Sequence, residues 1–294
     1  MATAQSAPTM IGLTLPDVDV WSERVIVALG QNPSLFTGPG TNTYLVGTGR
    51  ERILVDTGDG RASYLPVLEQ ALQRDGGITI QEIVLTHGHP DHIGGAASVL
   101  ERFGTVPVSK RPCPEFDAHH PVEIRPIVDG DVVETEGATL RAVHTPGHAE
   151  DHLCFMLEQE GSLFSGDNVL GVGTTVIPGT GGDLLDYLHS LDRLLAEEPT
   201  VIYPAHGPRI DDGQGKIREY IAHRLEREAQ ILEAIGAGCH EIAAIVKRVY
   251  AAYPESLHAA AASSVSAHLL KLLREGRVVR EGSEDPLAAR WSAA

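Results

Sequence analysis

Two spacings of apolar residues alternate along roughly the first 210 positions of the chain. Short unbroken apolar runs, bounded by glycine, proline and polar residues, predict buried β-strands. Apolar residues three or four positions apart, such as Leu65, Leu68 and Leu72, predict amphipathic helices. The predicted strands are 25–30, 43–46, 53–55, 83–85, 106–109, 122–127, 132–134, 139–144, 153–157, 163–165 and 201–203, and the predicted helices are 64–73, 91–103 and 184–195.

The order of these elements predicts an α/β chain with two domains. Strands in quick succession with helices between them favour two packed sheets with helices on the outside. From residue 213 the chain is almost entirely helical, with helices predicted at 216–235, 240–253 and 259–275 and a hairpin or wing at 276–279. We therefore predict domains at 1–212 and 213–294, the second being a winged-helix-like module. A packing extension or a homodimer surface is the alternative interpretation of that module.

Composition restricts the class of partner. The 294 residues are 42% hydrophobic and carry a formal net charge of −17, which opposes binding to bulk polyanions. No apolar run approaches the ~20 residues of a membrane-spanning helix. The chain has three cysteines, and its first basic residue is Arg24, so its start lacks the basic region of a signal peptide. We expect a cytoplasmic protein with reduced cysteines and no membrane partner.

Residues 86–92, with the sequence THGHPDH, concentrate metal-binding side chains in a turn between a predicted strand and a predicted helix. Such a turn can direct all of its side chains into one pocket, and imidazole and carboxylate groups are preferred ligands of Zn²⁺. Three further candidates follow predicted strands and adjoin glycine or proline. The seven candidate ligands are His87, His89, Asp91, His92, His148, Asp167 and His206. They predict a zinc centre, with Mn²⁺ or Fe²⁺ as alternative metals.

The motif order H-x-H-x-D-H, T-P-G-H, G-D and H-G, preceded by Asp56 in the sequence LVDTG, resembles the metallo-β-lactamase superfamily. The resemblance implies an αββα sandwich with two Zn²⁺ ions at one edge. The implied ligands of the first ion are His87, His89 and His148. Those of the second ion are Asp91, His92 and His206, and Asp167 is implied to bind both ions. Asp56 is implied to orient ligands from behind them. His152, four residues after His148, is a further candidate to orient the site through a hydrogen bond.

The implied reaction is hydrolysis by a hydroxide that bridges the two metals, with Asp91 able to accept the proton of the water. A G-x-S-x-G nucleophile motif is absent from the sequence. Longer stretches at 42–45, 147–152, 164–171, 173–175 and 203–208 resemble the β-lactamase-like protein 2 group, and the match covers about residues 25–280. The link at 177–182 is longer than is usual in that group. The shape of the group's substrate site therefore cannot be assumed for this chain.

The group includes endoribonucleases that prefer single-stranded RNA, and a related fungal branch consists of thioesterases that release polyketides from an acyl carrier protein. The acidic charge and the 5% aromatic content favour a small-molecule or carrier-bound acyl ester or thioester as the substrate. The alternative is single-stranded RNA, bound with help from a basic stripe formed by Lys247, Arg248, Lys271, Arg274, Arg277 and Arg280. A β-lactamase is a third and weaker candidate, and a non-enzymatic metal-binding module is the last.

Overall fold

Two β-sheets packed face to face form the centre of the protein, for which a computed structural model describes residue 10 and residues 12–178 and 181–294. Helices cover both outer faces of this pair of sheets, and a helical module follows at the carboxyl end. The arrangement confirms the predicted αββα sandwich with a winged-helix-like module.

The bounds of the elements agree with the predicted ones to within a few residues in most cases. The strands are β1 (Val18–Ser22), β2 (Val25–Leu29), β3 (Asn42–Val46), β4 (Glu51–Val55), β5 (Thr79–Val84), β6 (Val108–Lys110), β7 (Ile124–Pro126), β8 (Val132–Thr135), β9 (Ala138–His144), β10 (Leu153–Leu157), β11 (Ser162–Gly166), β12 (Ile202–Pro204), β13 (Val278–Glu281) and β14 (Arg290–Ala293). The α-helices are α1 (Tyr64–Leu72), α2 (Pro90–Ile93), α3 (Ala96–Phe103), α4 (Pro114–Asp117), α5 (Leu184–Ala196), α6 (Gly213–Gly236), α7 (Ile242–Val249) and α8 (His258–Arg274).

The first sheet has the strand order β1-β2-β3-β4-β5-β6-β7, antiparallel up to β4 and parallel from β4 to β7. The second has the order β12-β11-β10-β9-β8, in which only the β11–β12 pair is parallel. In β2, Val25 and Val27 contact the second sheet, while Ile26 and Ala28 contact the layer that contains α1. Both faces of the strand are therefore buried, which explains its unbroken apolar sequence.

The predicted helix at 91–103 is divided into α2 and α3 at Gly94 and Gly95. A Cβ atom on Gly95 would lie 2.0 Å from the carbonyl oxygen of Thr57, and the Gly95 amide donates to the Gly58 carbonyl. Glycine is thus required for the backbone of this break to approach the loop after β4. Periodicity alone did not reveal the break, because the apolar spacing continues across it. Its consequence is that the 86–92 turn packs directly against the Asp56 loop.

The C-terminal module shares its longest helix with the sandwich. Ile217 and Tyr220 in the first half of α6 pack among residues of β10, β11 and α5, whereas Ile231 and Ile235 in the second half pack with α7 and α8. The predicted boundary at 212/213 coincides with the start of α6, and the division into domains remains a prediction about independent folding. Over the ranges that the structure describes, no helix combines the length and the apolar character needed to cross a bilayer.

The wing consists of β13 paired antiparallel with β14, whereas the predicted hairpin or wing at 276–279 overlaps only the start of β13. Strand β14 comprises four residues, of which Trp291 is buried in the module while its neighbours are more exposed. A strand this short has no diagnostic alternation of its own.

His268 of α8 gives a prediction for the pH dependence of stability. Its side chain is buried, and both ring nitrogens lack hydrogen-bond partners among the described residues. Burial, reinforced by the nearby Arg224 and Lys271, lowers the pKa of His268 to about 3. In the unfolded chain the histidine pKa is near 6.5. Between these two pKa values, His268 is therefore protonated in the unfolded chain and neutral in the folded protein. Full stability is present above about pH 6.5, and about 2 kcal/mol should be lost between about pH 7 and pH 5 through this group.

The measurement is the free energy of unfolding by urea at several pH values for the wild type and for His268→Leu. We expect the variant to lose less stability on acidification than the wild type. His119→Leu, at an exposed position, is the matched control and should follow the wild-type slope. Equal slopes for the wild type and His268→Leu would show that His268 does not limit stability in acid.

Candidate metal centre

Five loops at one edge of the sandwich bring the candidate ligands together. Asp56 follows β4, residues 86–92 follow β5, His148 lies between β9 and β10, Asp167 follows β11 and His206 follows β12. Each of these loops begins where a buried strand ends, so the strands fix the loops relative to one another. All seven candidate ligands lie at this edge.

The first group of ligand atoms consists of nitrogens of His87, His89 and His148. His89 Nδ1 lies 2.9 Å from His87 Nε2 and 3.0 Å from His148 Nε2. His148 Nδ1 lies 2.8 Å from the carbonyl oxygen of Val176, which can only accept, so Nδ1 donates and a neutral ring presents an unprotonated Nε2 to the group. Zinc–nitrogen bonds are about 2.0–2.1 Å long, so nitrogens this close to one another can contact a single ion.

The second group consists of Asp91, His92 and His206. Asp91 Oδ2 lies 3.6 Å from His92 Nε2 and 3.3 Å from His206 Nε2. His92 Nδ1 lies 2.8 Å from Asp56 Oδ2, which leaves Nε2 directed toward the other two side chains. The ligand atoms of this group lie within 4.8 Å of one another, as do those of the first group.

Asp167 lies between the two groups and faces both of them. Its Oδ1 is 3.4 Å from His92 Nε2 and 3.1 Å from His206 Nε2, whereas its Oδ2 is 3.4 Å from His148 Nε2. A carboxylate with one oxygen toward each group is the geometry of a bridge between two sites.

Asp56 and His152 contact candidate ligands at atoms other than those that face the proposed metals. Asp56 has a left-handed backbone with φ of 58°, uncommon for a residue other than glycine. Its carboxylate accepts the Thr86 amide at 2.8 Å in addition to contacting His92. His152 Nε2 accepts the backbone N–H of Asp167 at 3.1 Å, and its Nδ1 lies 2.9 Å from Thr145 Oγ1. Both residues are therefore placed to orient neighbouring ligands.

The electrostatics of the second group favour ionised carboxylates. Burial opposes the charge of Asp91, but His92 and His206 lower its pKa to about 2. Burial likewise opposes the charge of Asp167, and His206 and His92 hold its pKa well below the usual value. Burial lowers the pKa of His206, yet Asp167 and Asp91 raise it to about 9. In the first group, burial and His148 lower the pKa of His89 to about 4, which keeps its ring neutral and able to bind a metal.

The residues present fit a His/Asp metal centre. His92 Nε2 and Asp167 Oδ1 are buried and have no hydrogen-bond partner within the described part of the chain. Buried polar atoms are normally satisfied, so such atoms directed at a shared point indicate a missing partner. Imidazole nitrogens and carboxylate oxygens are the donor set preferred by zinc and by other divalent first-row metals.

A cavity of about 440 Å³ opens over these groups. His89, Asp91, Asp167 and His206 line its floor, and the apolar part of its wall consists of Phe36, Pro90, Leu170, Val176 and Pro178. Phe36 and its neighbour Leu35 are 69% and 76% exposed, so two apolar side chains project into solvent at the mouth of the cavity. Within the predicted long link at 177–182, residues 179 and 180 lie outside the described residues.

Several residues that shape the site were not singled out in the sequence. Thr86 Oγ1 lies 2.9 Å from Asp56 Oδ2 and 3.0 Å from His87 Nδ1, and its place at the start of the THGHPDH motif could have indicated this role. Phe116 packs edge-on against His89 with ring centroids 5.4 Å apart. The buried Lys110 ammonium contacts Asp151 and also Asp117, which follows Phe116 in α4. Phe116 and Lys110 have no local signal, because only the packing of separate loops brings them to the site.

Two family profiles match the chain. The profile described as metallo-beta-lactamase superfamily matches residues 36–206, and the profile of the beta-lactamase associated winged helix domain matches residues 242–291. The first match contains all seven candidate ligands, and the second contains α7, α8 and most of the wing.

Curated relatives and a solved structure agree with these matches. The chain is 40% identical over 286 residues to the beta-lactamase-like protein 2 homolog of Drosophila melanogaster, with 92% of this chain and 95% of that relative covered. It is 42% identical over 222 residues to the atrochrysone carboxyl ACP thioesterase dmxR1 of a Cryptosporiopsis species, with 75% and 66% covered. A metallo-beta-lactamase family protein from Thermus thermophilus superimposes with a TM-score of 0.73 at 28% identity, covering 91% of this chain and 98% of that one. The chain therefore belongs to the metallo-beta-lactamase superfamily, as a hydrolase that carries a C-terminal winged-helix domain.

Proposed function

We propose that the protein is a metal-dependent hydrolase of acyl thioesters, including carrier-bound ones. The observation that carries this proposal is the cavity over the ligands, part of whose wall is apolar and at whose mouth Leu35 and Phe36 are exposed. Among the described residues that line it, Arg61 is the only Lys or Arg, and Arg61 Nε is paired with Asp59 Oδ2 at 2.9 Å. An apolar acyl group fits such a wall, whereas a chain of phosphates requires several free cations. The similarity to an ACP thioesterase adds support.

The proposed metal ligands are those predicted from the sequence, in two sets joined by a bridging carboxylate. His87, His89 and His148 would hold one ion, and Asp91, His92 and His206 would hold the other, with Asp167 contacting both. Two divalent ions, Zn²⁺ in the first instance, supply Lewis acidity at a carbonyl oxygen and lower the pKa of a bound water to about 7.

Asp91 is the residue to which we assign the proton transfer. Its side chain is 27% exposed and lines the cavity, whereas that of Asp167 is 13% exposed. A carboxylate at the floor of the cavity can accept a proton from a water that attacks the substrate carbonyl, and can return it to the departing thiolate. His89 and His206 line the same floor, while Asp56 and His152 keep the ligands in place from behind.

The second candidate, an endoribonuclease, loses the support of its predicted basic stripe. Five of the six basic residues of that stripe have carboxylate partners: Arg248 with Glu233, Lys271 with Glu228 and Glu275, Arg274 with Asp183, Arg277 with Glu228, and Arg280 with Glu284. Lys271 is also buried, with a side chain only 6% exposed. Cations that are paired with carboxylates have less charge available for phosphates, so those five positions do not present a stripe of unpaired cations.

The experiment that tests the proposal compares turnover of an acyl thioester and cleavage of a single-stranded RNA by the same zinc-loaded preparation. We expect thioester turnover that falls by roughly 10²–10⁴-fold in Asp91→Ala, because a positioned general base contributes about that much. We also expect kcat/KM for an uncharged thioester to change little with salt. Binding of RNA through several phosphates would instead weaken steeply as salt rises.

Asp91→Ala is needed in both assays because a trace of contaminating nuclease would cleave RNA regardless of this residue. RNA cleavage that disappears in Asp91→Ala, together with absent thioester turnover, would replace the proposed function by the endoribonuclease. Cleavage that persists in Asp91→Ala would be assigned to contamination.

A further inference from the structure

The loop at 168–176 touches the candidate metal centre at three places. It begins directly after Asp167, and its Gly171 amide donates to the His206 carbonyl at 2.8 Å. At its far end the Val176 carbonyl accepts from His148 Nδ1 at 2.8 Å. One loop therefore fixes three candidate ligands that come from three different strands.

The outer side of this loop is held by the first half of α6 and by α5. Tyr220 Oη accepts the Leu170 amide at 2.9 Å and donates to the Gly173 carbonyl at 2.9 Å. Arg224 Nη2 donates to the Thr175 carbonyl at 2.6 Å. Both side chains are buried, so these bonds are shielded from water.

Arg224 itself is fixed by a second contact. Its guanidinium lies over the ring of Tyr187 at 5.4 Å from the centroid, and Tyr187 Oη donates to the Asn168 carbonyl at 2.7 Å. The loop is thus bound at Asn168, Leu170, Gly173 and Thr175 by three side chains that lie outside it. Thr175 Oγ1 also lies 3.3 Å from His148 Nδ1, so the residue that Arg224 holds is itself next to a candidate ligand.

We propose that Tyr220 and Arg224 are positioning residues of the metal centre, through which the first half of α6 fixes the loop that aligns His148, Asp167 and His206. The inference rests on the proposed metal centre. It assigns to the first half of α6 a role in the site, although neither side chain contacts a candidate ligand. It also accounts for the residues at 168–175 that carry the resemblance to the β-lactamase-like protein 2 group and take no part in the proposed chemistry.

The test uses the full chain and the variants Arg224→Met and Tyr220→Phe. Arg224→Met keeps an unbranched side chain over Tyr187 and removes the donor to Thr175, while Tyr220→Phe removes one oxygen. The matched control is Arg227→Met, one turn further along α6, whose guanidinium lies over Tyr250 at 4.2 Å and bonds to Gln230 and Val249. The readouts are the Kd for Zn²⁺, measured by competition with a chromogenic chelator, and hydrogen exchange of the 168–176 amides in the metal-free protein.

We expect Arg224→Met and Tyr220→Phe each to weaken zinc binding by about tenfold or more, the usual effect of losing a residue that orients a ligand. Exchange at 168–176 should accelerate, and Arg224→Lys should restore part of the affinity. Arg227→Met should match the wild type in both readouts. If Arg224→Met does not fold, Tyr220→Phe decides the question, since it removes no carbon atom from the core.

Wild-type zinc affinity in Tyr220→Phe or in a folded Arg224→Met would overturn the inference, as would an equal loss in Arg227→Met. A wild-type protein that binds none of Zn²⁺, Mn²⁺ and Fe²⁺ would instead refute the metal centre on which the inference rests. The two failures are therefore distinguishable within one set of measurements.

Discussion

Asp167→Asn should lower the proposed thioester turnover by at least about a thousandfold and reduce the zinc content from the proposed two ions per chain toward one or none. The two oxygens of Asp167 face His92 and His206 on one side and His148 on the other. An amide has the same shape but no charge, and its nitrogen cannot be a ligand, so it cannot join two cations. Loss of one ion removes half of a two-metal site, in which each ion has a separate role.

The measurements are the metal content by elemental analysis and kcat/KM on the same preparation. Asp129→Asn is the matched control, because it makes the same chemical change in an exposed ion pair with Arg193, away from the site. It should retain full zinc content and full turnover. Wild-type turnover by Asp167→Asn with one zinc or none would rule out a bridging role for Asp167.

Removal of the metal should abolish turnover and lower the stability of the folded protein. A ligand that binds only the native state, present at a thousand times its Kd, contributes about 4 kcal/mol to the free energy of unfolding. Without it, the partly buried carboxylates of Asp91 and Asp167 have the neighbouring histidines as their positive partners among the described residues. We therefore expect a clear decrease in Tm after dialysis against a chelator, with the fold retained because the apolar clusters lie elsewhere.

Zn²⁺, Mn²⁺ and Fe²⁺ added back separately, the last without oxygen, should restore turnover to different extents and so identify the functional metal. The circular dichroism spectrum of the metal-free protein checks that it is still folded. Undiminished turnover by protein shown to contain no metal would exclude the proposed chemistry. Restoration of Tm without restoration of turnover would limit the metal to a structural role.

The chemistry of the site could be predicted from the sequence because its signals are local. In THGHPDH, four candidate ligands lie within one short turn, and His148, Asp167 and His206 each follow a strand at a glycine or proline. The end of a buried strand is where a side chain can reach a pocket, so position and residue type together indicated a metal centre. The order of these motifs also identified the family, and with it the αββα sandwich.

The spacing of apolar residues likewise predicted most strands and helices. It failed where the outcome depends on a distant segment. The break between α2 and α3 is imposed by the contact of Gly95 with Thr57, and β14 exists as a strand through its pairing with β13. The pairing of the predicted basic stripe also depends in part on distant segments, since Arg274 is paired with Asp183, which is 91 residues away along the chain.

The order of residues therefore predicted the candidate ligand set, the strand-and-helix pattern and the family, all of which depend on periodicity and side-chain chemistry within a few positions. The tertiary structure alone decided that Asp167 faces both ligand groups, that part of the cavity wall is apolar and that Tyr220 and Arg224 hold the loop beside the site. The bonds from Tyr220 to Leu170 and from Arg224 to Thr175 join positions 50 and 49 apart along the chain. Such contacts depend on which surfaces meet in the folded protein. The local spacing of residues along the chain does not reveal them.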